Sequence, residues 1–149
     1  DCSFDNALCT EVLEHAPYPV KILNEIYRIL KPGGKLILTV PSLSLTHFAP
    51  YFYQSGFSKY FFSYHSKEIG FQILDIKNTG GAFDLIFSIA TSIRPKIKEI
   101  KNINKFNKYI LILFNYIILG LSGILRLMPV KSLAQDICPI GTFVLLKKK

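Results

Sequence analysis

Phe4-Asp-Asn-Ala-Leu-Cys-Thr-Glu-Val-Leu-Glu-His15, then Glu25-Ile-Tyr-Arg-Ile-Leu-Lys-Pro-Gly-Gly34, then Lys35-Leu-Ile-Leu-Thr-Val-Pro41 decide the fold of this chain. Phe4 to Leu8 is a short, mostly apolar run bounded by a charge and a polar loop, the pattern of a buried strand. Between Pro19 and Leu30 the apolar residues Val20, Ile22, Leu23, Ile26, Tyr27, Ile29 and Leu30 recur at threes and fours, with Lys21, Asn24, Glu25 and Arg28 opposite. That spacing predicts an amphipathic helix. Pro17 and Pro19 suit its first turn, where a missing amide donor costs little. Lys31 precedes Pro32 and so leaves the helical region, and Gly33-Gly34 supplies a positive-φ turn. Leu36, Ile37, Leu38 and Val40 then read as a strand buried on both faces and stopped by Pro41. Strand, crossover helix and strand imply parallel pairing with a right-handed connection, hence an α/β sheet.

Working outward, residues 54–69 carry enough apolar and aromatic residues for a helix ended by Gly70. Phe71-Gln-Ile-Leu-Asp-Ile76 alternates as a further strand, closed by Thr79-Gly-Gly81. Thr142-Phe-Val-Leu-Leu-Lys147 is a last strand after the turn signal Pro139-Ile-Gly141. The expected division is a sheet region over 1–83, a basic and hydrophobic helical insertion over 84–136, and a final strand with a Lys tail over 137–149.

Half the residues are hydrophobic and 13% aromatic, which excludes a disordered chain. The net charge of +8 is uneven. Residues 1–75 hold six Lys/Arg against seven Asp/Glu, and residues 76–149 hold twelve against three. The second part therefore favours anionic partners. Cys2, Cys9 and Cys138 are too scattered for a disulfide framework or a paired-cysteine metal site, which points to a reducing, cytoplasmic setting.

The three opening segments resemble the second half of a class I S-adenosylmethionine-dependent methyltransferase domain of the methyltransferase type 11 kind. The resemblance covers residues 1–82 and about 137–148, and implies strands four to seven of a seven-stranded Rossmann-like sheet. In that family the last strand is antiparallel and lies between the fifth and sixth, so the insertion here falls between strands six and seven. The glycine-rich loop after the first strand and the ribose-binding acid after the second, which hold most of the cofactor in such folds, have no counterpart in this sequence. The expectation is a longer protein that continues N-terminally. The 149 residues alone are expected to bind S-adenosylmethionine weakly and to present an unpaired strand edge.

The resemblance places Cys9, Thr10 and Glu11, just past the first strand here, beside the methionine end of the cofactor. It implies direct methyl transfer to an oxygen, nitrogen or carbon nucleophile, achieved by positioning and by a base where deprotonation is needed. His15 and His47 are the candidate bases. Glu11, Glu14 and His15 form an E-x-x-E-H pattern that His47 can complete as a divalent metal site, since a similar motif binds metal in quinone-biosynthesis O-methyltransferases and small-RNA 2′-O-methyltransferases. The favoured reading is that Glu14-His15 shapes the loop and the cofactor pocket through backbone hydrogen bonds, and the metal ranks below it. His65 reads as a partly exposed helix residue. The cluster Phe48, Tyr51, Phe52, Tyr53, Phe57, Tyr60, Phe61, Phe62 and Tyr64 occupies the region that covers the acceptor pocket in relatives, with core or lid packing the reading for most of it. Tyr53-Gln54-Ser55 stands where many relatives carry an arginine and a threonine.

Arg94, Lys96, Lys98, Lys101, Lys105 and Lys108, offset by Glu99, lead into Tyr109-Ile-Leu-Ile-Leu-Phe-Asn-Tyr-Ile-Ile-Leu-Gly-Leu-Ser-Gly-Ile-Leu125. This run approaches the length and hydrophobicity of a membrane span. A single crossing would separate the two strands on either side of it. A hairpin broken near Gly120-Leu-Ser-Gly123, or attachment in the interface of an anionic membrane, are the remaining forms. Nucleic acid ranks below lipid, because the charges precede an aliphatic run instead of alternating with stacking residues. The functional expectation is methyl transfer to a saccharide, lipid-linked or other small acceptor. The alternatives are a metal-assisted quinone-type O-methyltransferase and a non-catalytic interaction module.

Overall fold

The computed structural model describes residues 1–127, 135 and 138–149. It divides into two compact units, one of residues 1–79 with 141–149 and one of residues 80–140.

The first unit is a four-stranded sheet of β1 (Phe4–Thr10), β2 (Leu30–Pro41), β3 (Phe71–Thr79) and β4 (Gly141–Lys148), in the order β1-β2-β4-β3. β1 and β2 are parallel, joined through α1 (Pro19–Ile29), while β4 runs antiparallel to both of its neighbours. The last strand thus lies where the resemblance put it. α2 (Lys59–Ile69) precedes β3 and starts later than residue 54, because Ser58 caps it by accepting from the Phe61 amide. Gly70 ends it in the left-handed region at φ 108°.

The core joins Leu23 of α1 and Phe62 of α2 to Leu36, Leu38 and Val40 of β2 and Val144 and Leu146 of β4. Two expectations fail here. β2 is not buried on both faces: Leu36, Leu38 and Val40 are buried, but Ile37 is 41% exposed. Nor is β1 a buried strand, since Leu8 is 71% exposed and only Cys9 is buried. The cause is common to both. The core lies on one face of the sheet, so alternate residues point away from it, and β1 is an edge with one neighbour.

The Pro-Gly-Gly segment is a bulge inside β2 and not a turn before it, since Phe4 pairs with Leu30 and Asn6 already with Lys35. A Cβ at Gly34 would stand 2.8 Å from the Lys31 carbonyl and 3.0 Å from that of Asp5, so only glycine fits this close approach. Lys148, expected in a Lys tail, is a buried anchor of the sheet unit. Its buried Nζ donates to the carbonyls of Tyr27 (2.7 Å) and Leu30 (2.8 Å), where the α1 dipole favours a cation.

The second unit is a helical hairpin of α3 (Ala82–Glu99) and α4 (Lys105–Leu125). α4 runs unbroken through Gly120 and Gly123, so the expected break there is wrong. The reversal falls at residues 100–104, where Asn104 caps α4 by accepting from the Asn107 amide at 2.7 Å.

Candidate functional site

The parallel pair β1–β2 sends its carboxyl ends to one rim of the sheet, the position at which open α/β sheets hold ligands. Past Thr10 the chain turns sharply at Glu11 (φ 52°), whose amide donates to the Thr39 carbonyl at 2.9 Å. The Thr39 hydroxyl donates in turn to Glu11 Oε1 at 3.1 Å. Thr39 lies on the β2 face opposite Leu38, an outward position whose role the strand pattern alone did not disclose. Loss of water raises the Glu11 carboxyl above the ordinary range; the Thr39 hydrogen bond pulls it down, Glu14 pushes it up, and His47 and His15 pull it down. Thr10 is exposed and Cys9 is buried in the core, where loss of water, then the Glu14 charge, raises its thiol.

A short 3-10 turn, Leu13–His15, follows. Fully buried Leu13 anchors it and carries Glu14 inward to 1% exposure. Both Glu14 carboxylate oxygens lack a hydrogen-bond partner, and His15 Nε2 stands 3.8 Å from Oε1, beyond hydrogen-bond reach. The loop of residues 42–58 closes over this turn. The amides of Tyr53 (2.9 Å) and Gln54 (3.1 Å) donate to the Glu14 carbonyl. His15 Nδ1 lies 2.5 Å from the Tyr51 carbonyl, and His47 Nδ1 lies 2.8 Å from that of Leu45. A carbonyl can only accept, so each Nδ1 carries a proton, and in the neutral ring it is Nε2 that holds the lone pair. The two imidazoles meet edge to face, 4.8 Å between centroids.

Glu14, His15 and His47 each offer a ligand atom, all within 4.8 Å of one another. Two donors trans across one small divalent ion stand about 4.2 Å apart, so modest side-chain movement would close the set. A buried, unpaired carboxylate and two imidazoles in the ligating tautomer fit such an ion. Glu11 is not part of this group; its carboxylate is engaged by Thr39.

His65 is half-buried on α2, its ring 4.5 Å from that of Phe61. The aromatic cluster divides: Phe57 and Phe62 are core, whereas Phe48, Tyr51, Tyr53, Tyr60 and Tyr64 are exposed. Phe48 and Phe52 border His15 at 5.6 and 6.2 Å.

Residues 1–38, which span β1, the acid–histidine turn, α1 and most of β2, match the family described as "Methyltransferase domain". The ubiquinone biosynthesis O-methyltransferase of Xanthomonas oryzae pv. oryzae strain PXO99A is 47% identical over 47 residues, covering 32% of this chain and 20% of that protein. An uncharacterised protein of Methanocaldococcus jannaschii is 60% identical over 40 residues, 27% of this chain and 17% of its own. The chain thus spans about a fifth of the length of the curated relatives it matches. Among solved structures, a SAM-dependent methyltransferase from Archaeoglobus fulgidus superposes with TM-score 0.54 at 14% identity, over 99% of this chain and 61% of that one. The cyclase SpnF does so with TM-score 0.53 at 15% identity, over 99% and 52%. One fold therefore serves both a methyltransferase and a cyclase. Residues 1–38 thus match a methyltransferase domain, and the sheet built on them has the fold of these solved structures.

Proposed function

We propose that the protein carrying this chain transfers the methyl group of S-adenosylmethionine to a saccharide, lipid-linked or other small acceptor at the rim formed by β1 and β2. The observation that carries this reading is that the family match, residues 1–38, includes the turn bearing Glu11, Glu14 and His15, to which the loop after β2 brings His47. S-adenosylmethionine supplies an electrophilic methyl group on a sulfonium. The acceptor atom forms its bond to that carbon as the carbon–sulfur bond breaks, S-adenosylhomocysteine leaves, and the acceptor proton passes to a base. His15 suits that last role, because its Nδ1 proton is tied to the Tyr51 carbonyl and its Nε2 is left to accept. Thr10 and Glu11 are the proposed contacts to the methionine end, with Cys9 forming the wall beneath them. The exposed ring of Phe48 beside His15 offers a surface on which a flat or sugar acceptor would stack.

A second reading is metal-assisted O-methylation of a quinone-type acceptor. The unpartnered carboxylate of Glu14 favours it, as does the similarity to a ubiquinone biosynthesis O-methyltransferase. Glu14, His15 and His47 would hold the ion, which would lower the pKa of an acceptor hydroxyl. His15 would then be a ligand and not the base.

S-adenosylhomocysteine release tests both. The protein is offered catechol-type and saccharide or lipid-linked acceptors, each with magnesium or with EDTA. Turnover that survives EDTA supports the first reading, and turnover that EDTA abolishes supports the second. Binding of S-adenosylmethionine with no turnover on any acceptor would sink both and leave a non-catalytic module.

A further inference from the structure

Helix α4 of the hairpin is inside out for a protein in water. α4 buries Asn115 and Ser122 and, among the described residues, none of its apolar side chains. These two polar residues, seven apart, share the face turned to α3. Asn115 Nδ2 donates to the Ala90 carbonyl at 2.9 Å, and the Ser122 hydroxyl donates back to Ile118 at 2.7 Å. The opposite face is an unbroken exposed stripe of Phe106, Ile110, Leu113, Ile117, Leu121 and Ile124, with Leu113 61% and Ile124 64% exposed. α4 is long and apolar enough to cross a membrane, its 21 residues spanning about 31 Å. α3 shows the same economy: Thr91 and Ser92 donate to the Ser88 carbonyl and need no water. Apolar side chains outside, polar side chains toward the partner helix and hydroxyls satisfied within the backbone are what a lipid solvent selects.

We propose that this hairpin lies in the interface of an anionic phospholipid bilayer with the Phe106–Ile124 stripe facing the acyl chains. Charge identifies the lipid. Residues 94–108, the end of α3, the reversal and the start of α4, hold six cations against Glu99 alone. By contrast, the charge at the base of the hairpin is paired, Arg126 with Asp84 at 2.6 Å. Apolar exposure also reaches beyond the stripe to Tyr109 and Phe114. Thr79 pairs with Gly141, which brings both ends of the segment to one place and forbids a single crossing by α4. Tip-first insertion of both helices would drag the cationic reversal through the hydrocarbon core, which is costly. The in-plane arrangement keeps those cations at the headgroups.

The proposal does not rest on methyl transfer, and its test needs no activity. The protein is floated with phosphatidylglycerol-containing or pure phosphatidylcholine vesicles at low and high salt. It rises with the anionic vesicles, and less so as salt screens the cations. Leu113→Ser with Ile117→Ser lowers the bound fraction by roughly tenfold or more, with unchanged circular dichroism because both sites are exposed. Replacing Lys96, Lys98, Lys101, Lys105 and Lys108 by Gln removes the preference for anionic lipid. The chain has no tryptophan, so Leu113→Trp is a unique probe, quenched by brominated acyl chains. Absence of flotation at low salt, or flotation indifferent to both sets of substitutions, overturns the proposal. So does a lipid-free dimer that depends on the stripe and does not float, since the stripe would then belong to a second copy.

Discussion

The sheet unit and helix α4 of the hairpin unit obey opposite burial rules. In the sheet, Leu36, Leu38, Val40 and Leu146 are buried while Lys35 points outward. In α4, Asn115 and Ser122 are buried while Ile110, Leu113, Ile117, Leu121 and Ile124 are exposed. The first pattern is that of a chain whose solvent is water, where burying apolar area drives folding. The second gains little from water and is what an apolar surround leaves in place. The proposed lipid contact would give one chain two solvents, and the candidate residues Glu11, Glu14, His15 and His47 all belong to the first pattern.

The sharpest way to break this contrast is to truncate matched apolar side chains. Phe62→Ala, in the sheet core, costs about 3–5 kcal/mol, whereas Ile117→Ser stays within about 0.5 kcal/mol of the parent in lipid-free solution. Thermal unfolding measures both; an equal loss at Ile117 would mean the stripe is packed against protein. Next in size is Lys148→Met, which strands two helix-end carbonyls of the sheet unit and costs about 1–2 kcal/mol by denaturant titration. Asn115→Leu should cost under about 1 kcal/mol, because Ala90 keeps its place in α3 and an unpartnered Asn115 Oδ1 is removed. A larger loss would give the buried amide a structural weight that the lipid-like pattern does not require.

The smallest effect concerns pH. The raised Glu11 carboxyl contributes stability that is fully present below its unfolded pKa and lost as pH rises through the folded one. Glu11→Gln should therefore unfold slightly later than the parent at neutral pH, by at most about 0.5 kcal/mol given its exposure, with the difference vanishing in acid. A gain that grew on acidification would reverse the sign and contradict the raised carboxyl. The same loss of water protects Cys9: exposed Cys2 should be alkylated in the folded protein while Cys9 waits for unfolding.

Much of the sheet could be read beforehand, because Val20 to Leu30 repeats at helical spacing and Thr142 to Lys147 is an uninterrupted strand former. The exposure of Ile37 could not be read so, since an apolar residue looks alike whether or not a helix covers its face. Gly120 and Gly123 suggested a break, yet nothing stands within 4 Å of a Cβ at Gly120, and Leu119, Leu121 and Leu125 favour continuing the helix. Asn104, a strong capping residue, was the better signal for the reversal. Glu14 and His15 were legible as neighbours in sequence. His47 was a candidate from its place just beyond the second strand, but the Leu45 and Tyr51 carbonyls that orient the two rings were not legible, because they lie in a loop without periodicity.

The most direct test of a catalytic rim is transfer of isotopically labelled methyl from S-adenosylmethionine by the protein carrying this chain, compared with its His15→Gln variant shown to be folded. Transfer by the parent and a loss of roughly 100-fold in the variant is the expected result. Equal transfer by the two, or transfer by neither with S-adenosylmethionine bound, would contradict it.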